Sequence, residues 1–162
     1  MEIRRAEPEE LEEILALYAD ARAYMRENGN PTQWGASYPG RELVERDIAS
    51  GACHVCTEEG EILAVFSWLP GPDPTYAVIE NGSWPDDGDY TVIHRIAVRA
   101  HRKGIASACF CWALARCRSL RIDTHADNLP MQRSLLKNGF SRCGIIHVED
   151  GSPRIAFQKV NP

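Results

Sequence analysis

Residues 93–107 read IHRIAVRAHRKGIAS. The β-branched, apolar run from Thr91 to Val98 predicts a strand. A basic turn follows, Arg99 to Lys103, and Gly104 opens a helix. The first N–H groups of a helix have no partners inside it, and the helix dipole favours negative charge at that end. Arg95, Arg99, Arg102 and Lys103 gather there in a chain whose net charge is −5. A strand that feeds a basic turn and a helix start is an anion cradle. The guest it predicts is a phosphate-bearing cofactor.

Outward from the cradle, the helix from about Gly104 to Arg118 is apolar nearly all round, which predicts burial on most faces. Leu120 to Thr124 reads as a strand, parallel to the cradle strand because a helix joins the two, with a right-handed crossover. Leu129 to Asn138 reads as a helix with Pro130 in its first turn, and Arg142 to Val148 and Arg154 to Lys159 as the last strands. Upstream lie a strand at Glu2 to Arg5 and a helix that begins at Pro8 and carries Leu11, Ile14, Leu15, Tyr18, Ala21 and Met25 at helical spacing. A second helix spans about Arg41 to Ser50 and stops at Gly51. Strands at Cys53 to Thr57 and Ile62 to Trp68 flank a Gly-containing turn, and Tyr76 to Glu80 is a candidate strand. This order predicts an α/β (α+β) fold, a mixed sheet with helices on both faces. With no repeat and no shift in composition, residues 1–162 read as a single domain.

An apolar share of 44% and a charged share of 25% are ordinary for a soluble globular chain. The negative balance argues against nucleic acid as a partner, and no long uncharged apolar run suggests a membrane. Cys53 and Cys56 have C-x-x-C spacing, but on a strand they face opposite ways, and no second pair completes a zinc site. Asp86-Asp87-Gly88-Asp89 lacks the later ligands of a calcium loop, so no metal is expected. Cys109 and Cys111 lie about 200° apart around their helix. Most of the six cysteines read as buried, reduced thiols, and with no signal-peptide pattern a cytoplasmic setting is expected.

The segment His101-Arg102-Lys103-Gly104-Ile105-Ala106 resembles the pyrophosphate loop of GNAT-superfamily N-acetyltransferases. That loop has Arg or Gln, two free positions, Gly, one free position, then Gly or Ala; His101 departs from it, while Gly104 and Ala106 fit. Asp127-Asn128 through Lys137-Asn138-Gly139-Phe140 is similar to the second cofactor-contacting helix of these enzymes, with its Gly-Phe exit into a strand. Ile3-Arg4-Arg5-Ala6 and Pro8-Glu9-Glu10-Leu11 resemble their usual opening.

The resemblance implies a mostly antiparallel central sheet containing one splayed parallel pair. It implies acetyl-CoA as cofactor and direct acetyl transfer, in a ternary complex, to a primary amine of a small molecule or peptide. A homodimer is among the expected states. The pantetheine arm is expected on the backbone of Ile96, Ala97 and Val98, and the pyrophosphate on amides of His101, Arg102, Lys103, Gly104, Ile105, Ala106 and Ser107. Asn128 is expected to touch the cofactor further along.

Acetyl transfer needs a neutral amine, donors for the thioester oxygen and a proton for the leaving thiolate. A backbone N–H near Val98 suits the oxygen. His94 is the expected general base, on the strand where many relatives place a glutamate; an imidazole titrates near neutral pH. Leu135 stands where relatives often carry a proton-donating tyrosine, so His125 is the expected acid, with Tyr90 and Ser134 as further options. Asp123 is expected to orient a histidine or to pair with Arg95 or Arg121. The acceptor pocket is expected from Gln33, Trp34, Tyr38, Trp68 and Glu80, aromatic walls and a carboxylate that suit a cationic amine. Leu135 also leaves room for a second class, a CoA-binding domain that senses or scaffolds without efficient catalysis. A P-loop nucleotide site is disfavoured, because Lys103 precedes Gly104 and no magnesium-binding Ser or Thr follows a P-loop frame.

Overall fold

The computed structural model describes residues 1–99 and 102–162. The strands are β1 (Glu2–Arg5), β2 (Cys53–Glu58), β3 (Glu61–Pro70), β4 (Thr91–Val98), β5 (Ser119–Thr124), β6 (Ser141–His147) and β7 (Pro153–Val160). The helices are α1 (Leu11–Glu27), α2 (Arg41–Ser50), α3 (Ile105–Leu114) and α4 (Leu129–Lys137), with single 3₁₀ turns at Pro8–Glu10 and Pro74–Tyr76. The strands form one sheet in the order β1-β2-β3-β4-β5-β7-β6, antiparallel throughout except for β4 beside β5. Among the described residues no helix is long and apolar enough to cross a membrane.

Helix boundaries follow local chemistry. Before α1, the Glu7 N–H donates to the Glu10 carboxylate at 2.8 Å, closing a capping box. Gly51 ends α2 at φ 80° in the left-handed region that suits glycine. The Asn128 side chain accepts from the Met131 N–H at 3.2 Å and starts α4, with Pro130 in the first turn.

The sheet divides the core. One face packs α3 and α4 through Phe110, Leu114, Leu135 and Phe140, the other packs α1 and α2 through Ile14, Leu17, Tyr18 and Val44. Each such side chain, fully buried, contributes about 1.5–3 kcal/mol. Cys56 lies in the first core and Cys53 in the second, on opposite faces as their spacing requires. Cys109 is buried while Cys111 is exposed.

Two expectations are corrected. Helix α3 ends at Leu114, not Arg118, because the distant Asn161 side chain donates to the carbonyls of Leu114 and Cys117 and caps it early. Residues 76–80 are not a strand: Asp73 accepts from Thr75 N–H and turns the chain over Pro74, leaving only a single bridge from Glu80 to Ile145.

The middle of the sheet positions the site. Val65 pairs with Ala97 and Ser67 with His94, so Phe66 alone faces both Arg95 and Ile96. This is a bulge in β4, with Arg95 at φ 55°. Tyr18 donates its hydroxyl to the Arg95 carbonyl at 2.8 Å, and Asp47 grips the guanidinium at 3.0 Å. On the other side β4 pairs with β5 only at Thr91–Leu120 and Val92–Arg121. Beyond Val92 the two strands part.

Candidate active site

The parting of β4 from β5 opens a trough of about 240 Å³. Ile96, Ala97 and Val98 form one wall and Asn128, Met131 and Ser134 the other, with Arg102 and Ala106 at its end. A strand edge without a partner strand leaves backbone groups for a ligand to pair with. At the start of α3, Gly104 adopts φ 82°, and a Cβ placed there would meet nothing within 4 Å among the described residues. Open space over a glycine at a helix N-terminus fits a diphosphate approaching the backbone closely. Arg102, Lys103 and Gly104 are exposed, whereas Ile105 is buried. The Ser107 hydroxyl is already engaged, accepting from the Asn138 amide at 2.9 Å. His101 lies outside the described residues. Arg99 is drawn away from the cradle: it donates to the Ile62 carbonyl at 2.7 Å and pairs with Glu13 and Glu61.

Met25, Ile96, Asn128 and Met131 also line a second, wider cleft of about 510 Å³, so the two spaces share a wall. His94 lies in the wider one. Its Nε2 stands 2.7 Å from Asp73 Oδ2 and its Nδ1 4.0 Å from Asp123 Oδ2. Asp73 is itself held: its other oxygen accepts from the Thr75 N–H and hydroxyl, and its N–H donates to Tyr90 Oη at 2.8 Å. Burial pushes the Asp73 carboxyl up, but the hydrogen bonds from His94 and Thr75 outweigh it and hold the group down to about 2. Asp73 is therefore an anion at neutral pH that accepts from Nε2–H of His94, and in the neutral form of the ring Nδ1 is the acceptor. Tyr76 donates to Asp123 Oδ2 at 2.7 Å, and burial together with that carboxylate raises its phenol.

Of the residues expected around the acceptor, Gln33, Trp34 and Tyr38 line this cleft. Gln33 Oε1 accepts from the side chains of Asn128 and Asn30 at 3.0 and 2.8 Å, tying the loop after α1 to the start of α4. Trp68 is not there. It pairs with Ile93 on the α3 side of the sheet, its ring 5.1 Å from that of Trp112, and its Nε1–H donates to Thr91. Glu80 is exposed and contributes only its backbone bridge.

His125 is likewise turned elsewhere and lines neither cleft. Its Nδ1 accepts from the Asp127 N–H at 3.0 Å, so Nε2 carries the proton and donates to Thr32 Oγ1 at 3.1 Å. Both ring nitrogens are used in holding the turn before α4. Tyr90 lines neither cleft, its hydroxyl oxygen accepting from the Asp73 N–H, and Leu135 is fully buried. Asp123 pairs with neither expected arginine: Arg95 is taken by Asp47, and Arg121 lies between the rings of Trp84 and Tyr90, 3.9 Å from each.

Sequence reasoning missed Asp73 and Asp47. Asp73-Pro74-Thr75 carried a usable signal, an Asp that caps a turn opened by proline. Nothing local marks Asp47, which sits in the middle of α2 and meets Arg95 only through packing.

Solved structures share this architecture. A GNAT-family acetyltransferase from Streptococcus agalactiae 2603 is 31% identical, over 99% of this chain and 95% of that one, with a TM-score of 0.89. A candidate acetyltransferase from Staphylococcus aureus Mu50 is 26% identical, over 99% of each chain, with a TM-score of 0.71. A ribosomal-protein-alanine N-acetyltransferase from Brucella melitensis shares the fold at 20% identity, over 99% of this chain and all of that one (100%), with a TM-score of 0.64. No family model and no curated protein matches the chain.

Proposed function

Since the chain belongs to the GNAT family of acetyltransferases, we propose that it moves an acetyl group from acetyl-CoA directly to a primary amine of a small molecule or peptide. The observation that carries this reading is the trough opened where β4 leaves β5, which shares a wall with the cleft that holds His94. When bound, acetyl-CoA supplies an activated thioester.

The chain's own residues do the rest. The backbone of Ile96, Ala97 and Val98 holds the pantetheine arm in place of a strand. Arg102, Lys103 and the first amides of α3 would hold the diphosphate, and Asn128 lines the same trough as the arm's proposed strand. Asp73 fixes the tautomer and tilt of His94 and stabilises it once it is charged. Nδ1 of His94 takes the proton of the attacking amine, and Asp123, 4.0 Å across the gap, orients that amine. A backbone N–H near Val98 would stabilise the oxygen that gains charge, and as the C–N bond forms and the C–S bond breaks CoA would leave as its thiolate and take a proton from solvent, since Leu135 donates none. The six unpaired cysteines support a cytoplasmic setting.

Leu135, buried where relatives often have a tyrosine, is the observation behind the alternative, a CoA-binding sensor or scaffold. A panel of amines incubated with acetyl-CoA, with free CoA thiol followed over time, tests both. Thiol release with an acceptor supports the enzyme. Tight acetyl-CoA binding without release for any amine overturns catalysis in favour of the sensor. Failure to bind acetyl-CoA overturns both.

A further inference from the structure

Arg154 is a buried charge that makes no ion pair within 4.0 Å among the described residues. It sits on β7, is 7% exposed and lines the wide cleft. Nη1 donates to the Pro153 carbonyl at 2.9 Å and Nη2 to the Gln33 carbonyl at 3.2 Å. Both acceptors are neutral. Among the described residues no carboxylate lies within 4.0 Å of the guanidinium. The other buried arginines are accounted for: Arg95 has Asp47, and Arg121 is sandwiched by two rings outside the cleft. A guanidinium removed from water and given only carbonyl partners is costly, and its remaining N–H donors form a fork that matches a carboxylate.

The sheet order puts this fork near His94. β4, β5 and β7 are successive strands, and Asp123 pairs with Ala156. Arg154 lies two residues from Ala156 and so on the same face. Neighbouring strands are about 4.8 Å apart, so Arg154 and Asp123 bracket a short span. At one end stand His94, Asp73 and Asp123, which suit an amine; at the other stands the Arg154 guanidinium, with no carboxylate bonded to it. The cleft's further carboxylates make no ion pair with the fork: Asp150 is bonded to the Ser152 N–H and hydroxyl and feels Arg154 only through space, which helps lower its carboxyl, and Glu149 is exposed.

We propose that Arg154 determines specificity by taking a carboxylate of the acceptor, so that the acceptor is an amine bearing a free carboxylate, an amino acid or close analogue, rather than a polyamine. This rests on the acetyl-transfer reading. The test compares amino acids with their carboxamides, by thiol release, for the wild type and Arg154→Gln. In the wild type at least one free acid exceeds its amide in kcat/KM by roughly 10²-fold. Arg154→Gln abolishes that preference, chiefly through KM, and leaves the amide's rate within about threefold. Amides or polyamines equal to or better than every acid in the wild type overturn the proposal, as does an equal loss for acid and amide in the variant. If Arg154→Gln does not fold, Arg154→Lys, which keeps the charge and loses the fork, is read by the same ratio.

A calorimetric arm separates this proposal from the reading beneath it, by titrating N-acetyl amino acids and their carboxamides into the CoA-saturated protein. Carboxylate-dependent binding without thiol release from any amine overturns acetyl transfer and upholds Arg154. Turnover of carboxylate-free amines alone does the reverse. Neither binding nor turnover that depends on the carboxylate overturns Arg154's role.

Discussion

His94 donates its Nε2–H to Asp73 across 2.7 Å, joining the middle of β4 to a turn 21 residues earlier in the chain. The bond makes Nδ1 the free acceptor of the ring and places a permanent negative charge behind it. His94→Gln should lower kcat by about 10²-fold or more, and Asp73→Asn by at least about tenfold, with acetyl-CoA affinity unchanged in both. Steady-state kinetics with the best amine of the panel check this; wild-type turnover in His94→Gln removes the histidine from the mechanism.

Asp73 also ties stability to pH. Its folded carboxyl is held at about 2, below the ordinary 3.8. A depressed carboxyl contributes stability that is complete above the ordinary value and is lost as pH falls through the folded one. The wild type should exceed Asp73→Asn by on the order of 2 kcal/mol at pH 6, the gap shrinking from about pH 4 toward 2. Urea unfolding across that range measures it; a gap independent of pH contradicts it.

Asp47 holds the bulge from α2. It accepts from Arg95 at 3.0 Å and from the Ser67 hydroxyl at 2.6 Å, and is 7% exposed. Removing it leaves the largely buried Arg95 charge unpaired, a loss of about 3–5 kcal/mol. Asp47→Ala should show that loss in chemical denaturation, together with weaker acetyl-CoA binding because Ile96 and Ala97 follow the bulge.

At Gly104 space and backbone conformation point to different readouts. A methyl group there meets no neighbour within 4 Å among the described residues, yet φ is 82°. Gly104→Ala should cost only about 1–2 kcal/mol of stability, while the methyl occupies the approach to the first amides of α3. Acetyl-CoA affinity should fall by roughly tenfold or more, read by titration beside a melting curve; unchanged affinity moves the diphosphate elsewhere.

The thiols should report the packing. Cys111 is exposed and Cys117 half-buried, while Cys53, Cys56, Cys109 and Cys143 are buried. Burial, with Asp47 nearby, pushes the Cys53 thiol up to about 12. A thiol-specific dye should label Cys111 quickly and Cys117 slowly, and the other four only after unfolding. Prompt labelling of Cys53 in the native protein contradicts this packing.

Much of the architecture was legible along the chain because its signals are local. The period of α1, the stop at Gly51, the strand from Thr91 to Val98 and Pro130 in the first turn of α4 each depend on residues a few positions apart. Where partners are distant, the reading failed. The end of α3 answers to Asn161, and His125 is committed to Thr32 and Asp127. Trp68 was expected at the acceptor, but its pairing with Ile93 sends it to the α3 face.

Short-range chain chemistry was thus enough to place His94 on its strand and to set most of the order of elements. Packing chose the rest: which strands part, which carboxylate meets His94, and which buried arginine is left without a bonded carboxylate. Those choices depend on register and on one extra residue in β4. Shifting a strand by a single residue exchanges its two faces, and no local pattern records which residue of a distant strand lies opposite.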